Sequence, residues 1–327
     1  MAEIDKTKVK RILLITLSNI GDIILTTPSV EAIIRQFPEA SLDVMVGPSG
    51  ADIFRCHKKI RDVIVYDKKT SLLDKRKLLF ALRRKKYDFV ADLKNTLFPV
   101  LLFPKYRTKL LRRRACVSMH KKDVHLSRLK RVGVETNGAG LHIPIRDADA
   151  KKAEEILLPI HGKPFIAINP GAKSHVKRWD AEKFAALSDL LKEKMGYEIV
   201  VIGQAEDKGV RDKVISCMRT KPLDLLEKTN IRELSVIIRK SALLITNDSG
   251  PLHVGSAVGA NILAFFGPTD EKKYGPVTVA KSRVLRKKLE CSPCEVAQCV
   301  NLKNKYECLK SITVEKAFAA ARGILEA

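Results

Sequence analysis

Short β-rich runs alternate along this chain with longer amphipathic stretches. ILLITL (12–17) precedes a helical pattern over 23–36, LDVMV (42–46) one over 51–57, and DVIVY (62–66) one over 72–86, with DFVADL (88–93) closing the series. That alternation reads as repeated βα units, strands of a parallel sheet joined by amphipathic crossover helices. A polar bridge over 147–162 interrupts the pattern. It then restarts: PFIAINP (164–170) with a helix over 180–195, EIVVIG (198–203) with 206–218, a further helix over 231–240, LLIT (243–246) with 251–258, and NILAFF (261–266). The pattern predicts an α/β protein of two doubly wound units, 1–155 and 156–327. A terminal helix is expected over Val314–Leu325, with Thr313 as its N-cap.

Composition adds a charge argument. Among 327 residues, 61 Lys and Arg stand against 37 Asp and Glu, a formal charge of +24 that points to polyanionic partners, with a solvated basic surface as the plainer alternative. The first half is the more basic, and Lys105–Arg131 holds eleven basic residues against one acid, Asp123. Tyr106 is the one aromatic residue in that stretch, which weakens stacking on single-stranded nucleic acid and ranks lipid or sugar phosphates above RNA. No run reaches the roughly 18–20 apolar residues that span a bilayer, and the N-terminus leads into a core strand rather than a signal sequence, so a cytoplasmic protein is expected.

Three loops carry candidate chemistry. The first strand ends in TLSNIGD (16–22), at the carboxyl edge of the sheet where ligands bind in open α/β folds. There Gly21 lets backbone approach a ligand, Ser18 is a candidate contact, and Asp22 reads equally as a helix N-cap or a catalytic base. The restart strand ends in NPGAKSHVKRW (169–179), where Lys173, Lys177 and Arg178 suit a diphosphate leaving group and the one Trp of the chain would staple the next helix to the loop. The third loop, TNDSGPLH (246–253), turns a strand into a helix whose Ser249 and Gly250 amides form an anion site, with Pro251 early in the helix and His253 in its first turns. Walker, GxGxxG, HExxH and GxSxG motifs are absent, which lowers kinase, dehydrogenase, zincin and serine-hydrolase readings. Seven cysteines do not make a disulfide scaffold, but Cys291, Cys294, Cys299 and Cys308 cluster; a metal centre, reduced packing thiols and a redox-sensitive pair all fit that spacing.

Taken in order, ITLSNIGDIILTTPSVEAI, NPGAKSHVKRWDAEKFAAL and LLITNDSGPLHVGSAVGANILAFFGPTDEKKYGP, followed by the closing CSPC…C…ECL…IT segment, resemble the lipopolysaccharide heptosyltransferases of glycosyltransferase family nine. The resemblance runs from about Arg11 to Leu325 and leaves out the basic stretch. It implies a GT-B architecture, two Rossmann-like domains facing across a cleft, with acceptor on the first and nucleotide-sugar on the second. It further implies an inverting, metal-independent enzyme that needs no cofactor and moves heptose from ADP-L-glycero-D-manno-heptose to the Kdo-lipid A inner core, peripherally on the inner face of the cytoplasmic membrane. By matching motif, Asp22 is the general base, Lys177 the phosphate-contacting lysine and Asp248 the donor-binding acid. Ser249 and Gly250 meet the diphosphate with His253 in support, Lys173 and Arg178 have no firm counterpart, and the cysteines are not needed for chemistry. No nucleic-acid partner is expected, and the sequence does not set the oligomeric state. Two other readings stay open: a family member with a different nucleotide-sugar or acceptor, and a non-catalytic RNA- or lipid-binding protein on the same fold.

Overall fold

The structure, a computed structural model, describes residues 4–17, 19–109 and 119–327. Ser18, Cys116 and the Arg112–Arg114 part of the basic stretch lie outside them. The chain divides into two units, Met1–Pro144 and Ile145–Ala327.

In the first unit the strands are β1 (Arg11–Thr16), β2 (Ser41–Val46), β3 (Ile60–Val65), β4 (Phe89–Asp92) and β5 (Tyr106–Arg107). The helices are α1 (Ile20–Ile24), α2 (Thr27–Gln36), α3 (Ala51–Phe54), α4 (Leu72–Arg84), α5 (Phe98–Leu101) and α6 (Lys121–Lys130). All pairings are parallel, in the order β3-β2-β1-β4-β5. Residues 12–16 of β1 are fully buried, as a strand covered on both faces requires. The helix read over 23–36 is two helices. Thr26 and Thr27 hydroxyls donate to the carbonyls of Ile23 (2.6 Å) and Ile24 (2.8 Å), and Pro28 follows in the first turn of α2, so the chain breaks and restarts at Leu25–Thr26.

In the second unit the strands are β6 (Phe165–Asn169), β7 (Glu198–Val201), β8 (Leu223–Asp224), β9 (Leu243–Asn247), β10 (Ile262–Phe265) and β11 (Ser282–Leu285). The longer helices are α7 (Asp147–Leu157), α8 (Ala181–Met195), α9 (Lys208–Cys217), α10 (Ile231–Lys240) and α11 (Gly250–Val258), followed by α12 (Glu271–Tyr274), α13 (Glu307–Lys310) and α14 (Val314–Leu325). The parallel order β11-β10-β9-β6-β7-β8 is the doubly wound arrangement. Helices α8, α9 and α14 pack together over Ile166, Ile168, Ile245 and Phe265, while α10 packs against both α7 and α11. Gly255 of α11 lies so close to the sheet that a Cβ there would fall 2.7 Å from Leu244 Cδ2. Thr313 caps α14 as its spacing predicts, accepting from Lys316 N–H at 3.3 Å.

The polar bridge expected over 147–162 is instead helix α7, and it belongs to the second unit, so the 155/156 division moves back to 144/145. Charged residues at 151, 152, 154 and 155 hide the stripe of Ala153 and Leu157 that α7 buries. Asp149, buried beside α10, pairs with Arg146 (2.9 Å) and Arg232 (3.2 Å) and ties the helix down. These guanidinium groups hold its carboxyl well below the usual carboxylate range, Arg146 contributing most.

Candidate active site

In a doubly wound sheet the strand order reverses between two neighbouring strands, and the loops leaving their carboxyl ends splay apart to leave a crevice. In the first unit those strands are β1 and β4, in register from Ile12↔Phe89 to Ile15↔Asp92. The loop after β1 brings Asp22, and the loop after β4 brings Lys94.

Asp22 is the third residue of α1, not its N-cap: that place is taken by Asn19, so the capping alternative drawn from the sequence does not hold. Its side chain is 37% exposed and its Oδ2 lies 3.9 Å from Lys94 Nζ, an ion pair beyond hydrogen-bonding reach. Gly21, half-buried in the same turn, gives its carbonyl to Leu25 N–H. Lys94 is largely buried. That burial, only partly offset by Asp22 and reinforced by the charges of Lys121, Arg128 and Lys68, pushes its ammonium below the ordinary lysine range. Behind it Arg128, one of the eleven cations of the basic stretch, is buried and donates to Asn95 Oδ1 (2.5 Å) and the Lys109 carbonyl (3.4 Å). His125 is buried as well. Burial first, then the charges of Lys94, Arg128 and Lys121, bring its pKa down to about 3, so the imidazole is neutral and leaves the cations uncompensated. Asp92 closes β4 with its carboxylate accepting from Lys94 N–H (2.7 Å) and the Thr96 hydroxyl (3.0 Å), while burial raises its pKa. The result is a half-exposed carboxylate set among partly buried cations.

In the second unit the reversal falls between β6 and β9. Each strand ends in an asparagine, and both side chains turn into the loops. Asn169 Nδ2 donates to Ser249 Oγ (2.8 Å), the Gly171 carbonyl (3.0 Å) and Thr246 Oγ1 (3.2 Å). Asn247 Nδ2 donates to the Pro170 carbonyl (2.8 Å), and its Oδ1 accepts from Trp179 N–H (3.0 Å). Trp179 is buried, stacks on Phe265 at 4.2 Å and meets Phe184 of α8 edge-on at 5.1 Å, which is the staple anticipated for it.

On this frame Lys177 Nζ reaches Asp248 Oδ2 at 2.7 Å, with Asp248 buried. Ser249 is the N-cap of α11, but its hydroxyl is spent on Asn169 and Thr246, leaving its backbone for a ligand. A Cβ at Gly250 would meet nothing within 4 Å, so the backbone there lies open at the helix N-terminus. His253 is buried in α11. Arg178 turns away, donating to the Ala172 carbonyl (2.9 Å) and facing Asp207 (3.8 Å), and Lys173 is exposed. Gly171 is required sterically: a Cβ would lie 2.2 Å from Asp207 Oδ1.

Cys291, Cys294, Cys299 and Cys308 are half-buried free thiols lining one small pocket with Tyr306, whose N–H donates to Cys299 Sγ at 3.3 Å. Burial pushes the Cys308 thiol up. Among the described residues no group of three or more His, Cys, Asp or Glu side chains is arranged to hold a metal, and no helix is long and apolar enough to cross a membrane. Sequence reasoning missed Lys94, Arg128 and the two asparagines. The signal for Lys94 lay in strand order, since the residue following the fourth strand faces the loop of the first only once the sheet reverses between them.

Comparison with known proteins bears on the family and the fold. Over 180 residues, 54% of this chain, it is 31% identical to lipooligosaccharide heptosyltransferase 2 of Campylobacter jejuni, and it spans about half of that relative's length. A glycosyl transferase family 9 protein of Veillonella parvula superposes with a TM-score of 0.81 at 26% identity over 97% of both chains. The Escherichia coli ADP-heptose lipopolysaccharide heptosyltransferase II does so with a TM-score of 0.76 at 20% identity, over 97% of this chain and 98% of that one. The two parallel-sheet units are therefore the two domains of a GT-B type of fold. The profile of glycosyltransferase family 9 (heptosyltransferase) matches residues 75–305, well over half the chain, and with the fold and its two strand-end sites the chain belongs to that family.

Proposed function

We propose that this chain is an inverting heptosyltransferase that uses ADP-L-glycero-D-manno-heptose as donor and the Kdo or heptose inner core of lipid A as acceptor, working at the inner face of the cytoplasmic membrane. The observation that carries the reading is Asp22: a half-exposed carboxylate after the first strand, its ion-pair partner Lys94 held 3.9 Å away. An acceptor hydroxyl gives its proton to the Asp22 carboxylate as its oxygen bonds to the anomeric carbon. The bond from that carbon to the ADP oxygen breaks on the opposite face, and ADP leaves with the electron pair. Lys177 and the Ser249 and Gly250 amides neutralise the departing diphosphate, with Asp248 fixing the lysine. Lys94 and the cations around it attract the anionic acceptor. The donor assignment is supported by the name of the Escherichia coli relative and by the open helix N-terminus at Gly250. We assign no step to a metal.

The test is transfer from ADP-heptose to Kdo₂-lipid A and to its monoheptosylated form, without added metal, for wild type and Asp22→Asn. Transfer to one acceptor, lost on the order of 10²-fold or more in the variant, supports base catalysis and names the acceptor. No transfer despite nucleotide-sugar binding points to another sugar pair, and no nucleotide-sugar binding overturns the reading.

A further inference from the structure

Helix α4 breaks the rule that the solvent face of a helix is polar. Its inner face is ordinary: Leu82 is buried, and Leu78 packs against the core of Leu13, Ile15 and Val90. Its outer face nevertheless carries Leu72 (80% exposed), Leu73 (61%) and Phe80 (53%). At helical spacing these three share that face with Arg76, Lys77, Arg83 and Arg84; the one acid of the helix, Asp74, lies beside its edge and pairs with Lys77 at 3.8 Å.

Helix α5 and the turn after it extend the surface. Phe98 and Leu102 pack inward against the same core, whereas Leu97 (67%), Val100 (40%) and Phe103 (77%) are exposed. Arg83 joins the two elements. Its Nε donates to the Leu101 carbonyl at 2.8 Å, and its guanidinium carbon lies 5.6 Å from the centre of the Phe103 ring and 6.0 Å from that of Phe80. Phe103 has φ 50°, a left-handed backbone that bulky residues avoid, so a strained residue holds an aromatic ring out in water. Arg107 anchors to the Pro99 carbonyl at 3.1 Å and continues the basic edge.

We propose that this face of the first unit docks on a lipid bilayer bearing anionic headgroups. The intermixing of apolar tips with Arg and Lys is what selects that occupant. An acidic protein or nucleic acid would match the cations but leave Leu72, Phe80 and Phe103 in water, and an apolar protein groove would bury the guanidinium groups unpaired. A bilayer interface takes the apolar tips into the acyl boundary while the cations stay among the phosphates. The inference rests on the proposed reaction for the reason a transferase should meet a bilayer, since its acceptor is lipid-linked.

The test is co-sedimentation of the full chain with large unilamellar vesicles of phosphatidylcholine alone and of phosphatidylcholine with phosphatidylglycerol, at low and high salt. Wild type is expected to bind the anionic vesicles and to release with salt. Arg76→Glu/Arg84→Glu should weaken partitioning at least tenfold, given on the order of fivefold per cation, and Phe80→Ser/Phe103→Ser should weaken it severalfold while leaving the unfolding midpoint and transfer to a delipidated Kdo acceptor unchanged. Binding of both variants equal to wild type, or no binding by wild type, overturns the docking surface. Vesicle binding by a chain that transfers heptose to no acceptor leaves the surface standing and overturns the reaction instead.

Discussion

Each unit places a lysine and an aspartate at the point where its parallel sheet reverses, and the two pairs are built in opposite ways. Lys177 and Asp248 close to 2.7 Å with Asp248 buried, on loops held by Asn169 and Asn247. Lys94 and Asp22 stay 3.9 Å apart, with the lysine the buried partner and the carboxylate the one half open to solvent. Burying the acid behind a hydrogen-bonded cation makes a fixed positive point, suited to a diphosphate. Burying the cation and leaving the acid outside makes a carboxylate with lone pairs still available to an incoming hydroxyl. On the proposed reaction, the same two side chain types would serve recognition in one place and proton transfer in the other, according to which of them the fold desolvates.

The comparison breaks most severely if Asp22 is dispensable. Asp22→Asn keeps the shape and removes the basic lone pairs, and we expect kcat to fall about 10²–10⁴-fold with ADP affinity unchanged by calorimetry. Next in size, Lys177→Met leaves Asp248 buried and uncompensated; the KM for nucleotide-sugar should rise roughly 10–100-fold, and chemical denaturation should show a loss of about 1–3 kcal/mol. Lys94→Met should raise the acceptor KM about tenfold while sparing the donor KM. Because burial lowers the Lys94 ammonium from 10.5, acceptor affinity in the wild type should fade on the alkaline side earlier than an ordinary lysine would cause, and Lys94→Arg should move that limb upward.

A pH effect on stability sharpens the contrast further. His125 stays neutral in the folded state down to about 3, whereas the unfolded chain takes up a proton near 6.5. The unfolded state therefore binds more protons across that window, and acidification favours unfolding by up to about 1.4 kcal/mol per pH unit, a slope that His125→Gln should flatten. The smallest expected effect is that of a chelator. Transfer rates with and without EDTA should agree within about twofold if Lys177 and the α11 amides carry the leaving-group charge.

Much of this was legible in the sequence. The β-rich runs at 12–16, 165–168 and 243–246, alternating with amphipathic helices, identify buried parallel strands, and the loops after them could be read as ligand-facing because they leave the carboxyl ends of such strands. Two-residue edge strands such as β5 and β8 are too short to carry a period. Helix α7 was hidden because its stability comes from Asp149 pairing with an arginine 83 residues away, a contact no local pattern contains. Lys94 was invisible for a related reason: its role depends on strand order, and strand order is set by which crossover packs where. One cation of the dense basic stretch, Arg128, is a buried donor to Asn95, a placement its charge alone does not announce.

The two strand-end asparagines carry a further consequence. Segment 170–179 has no regular ladder, yet it hangs from Asn169 and Asn247, whose backbones are fixed in β6 and β9. An irregular loop so anchored takes on the opening free energy of the sheet rather than that of a surface coil. Its amide protons, that of Trp179 first among them, should exchange only as slowly as the sheet opens. The entropy of ordering this loop is then settled once, when the unit folds, and is not spent again each time a nucleotide arrives.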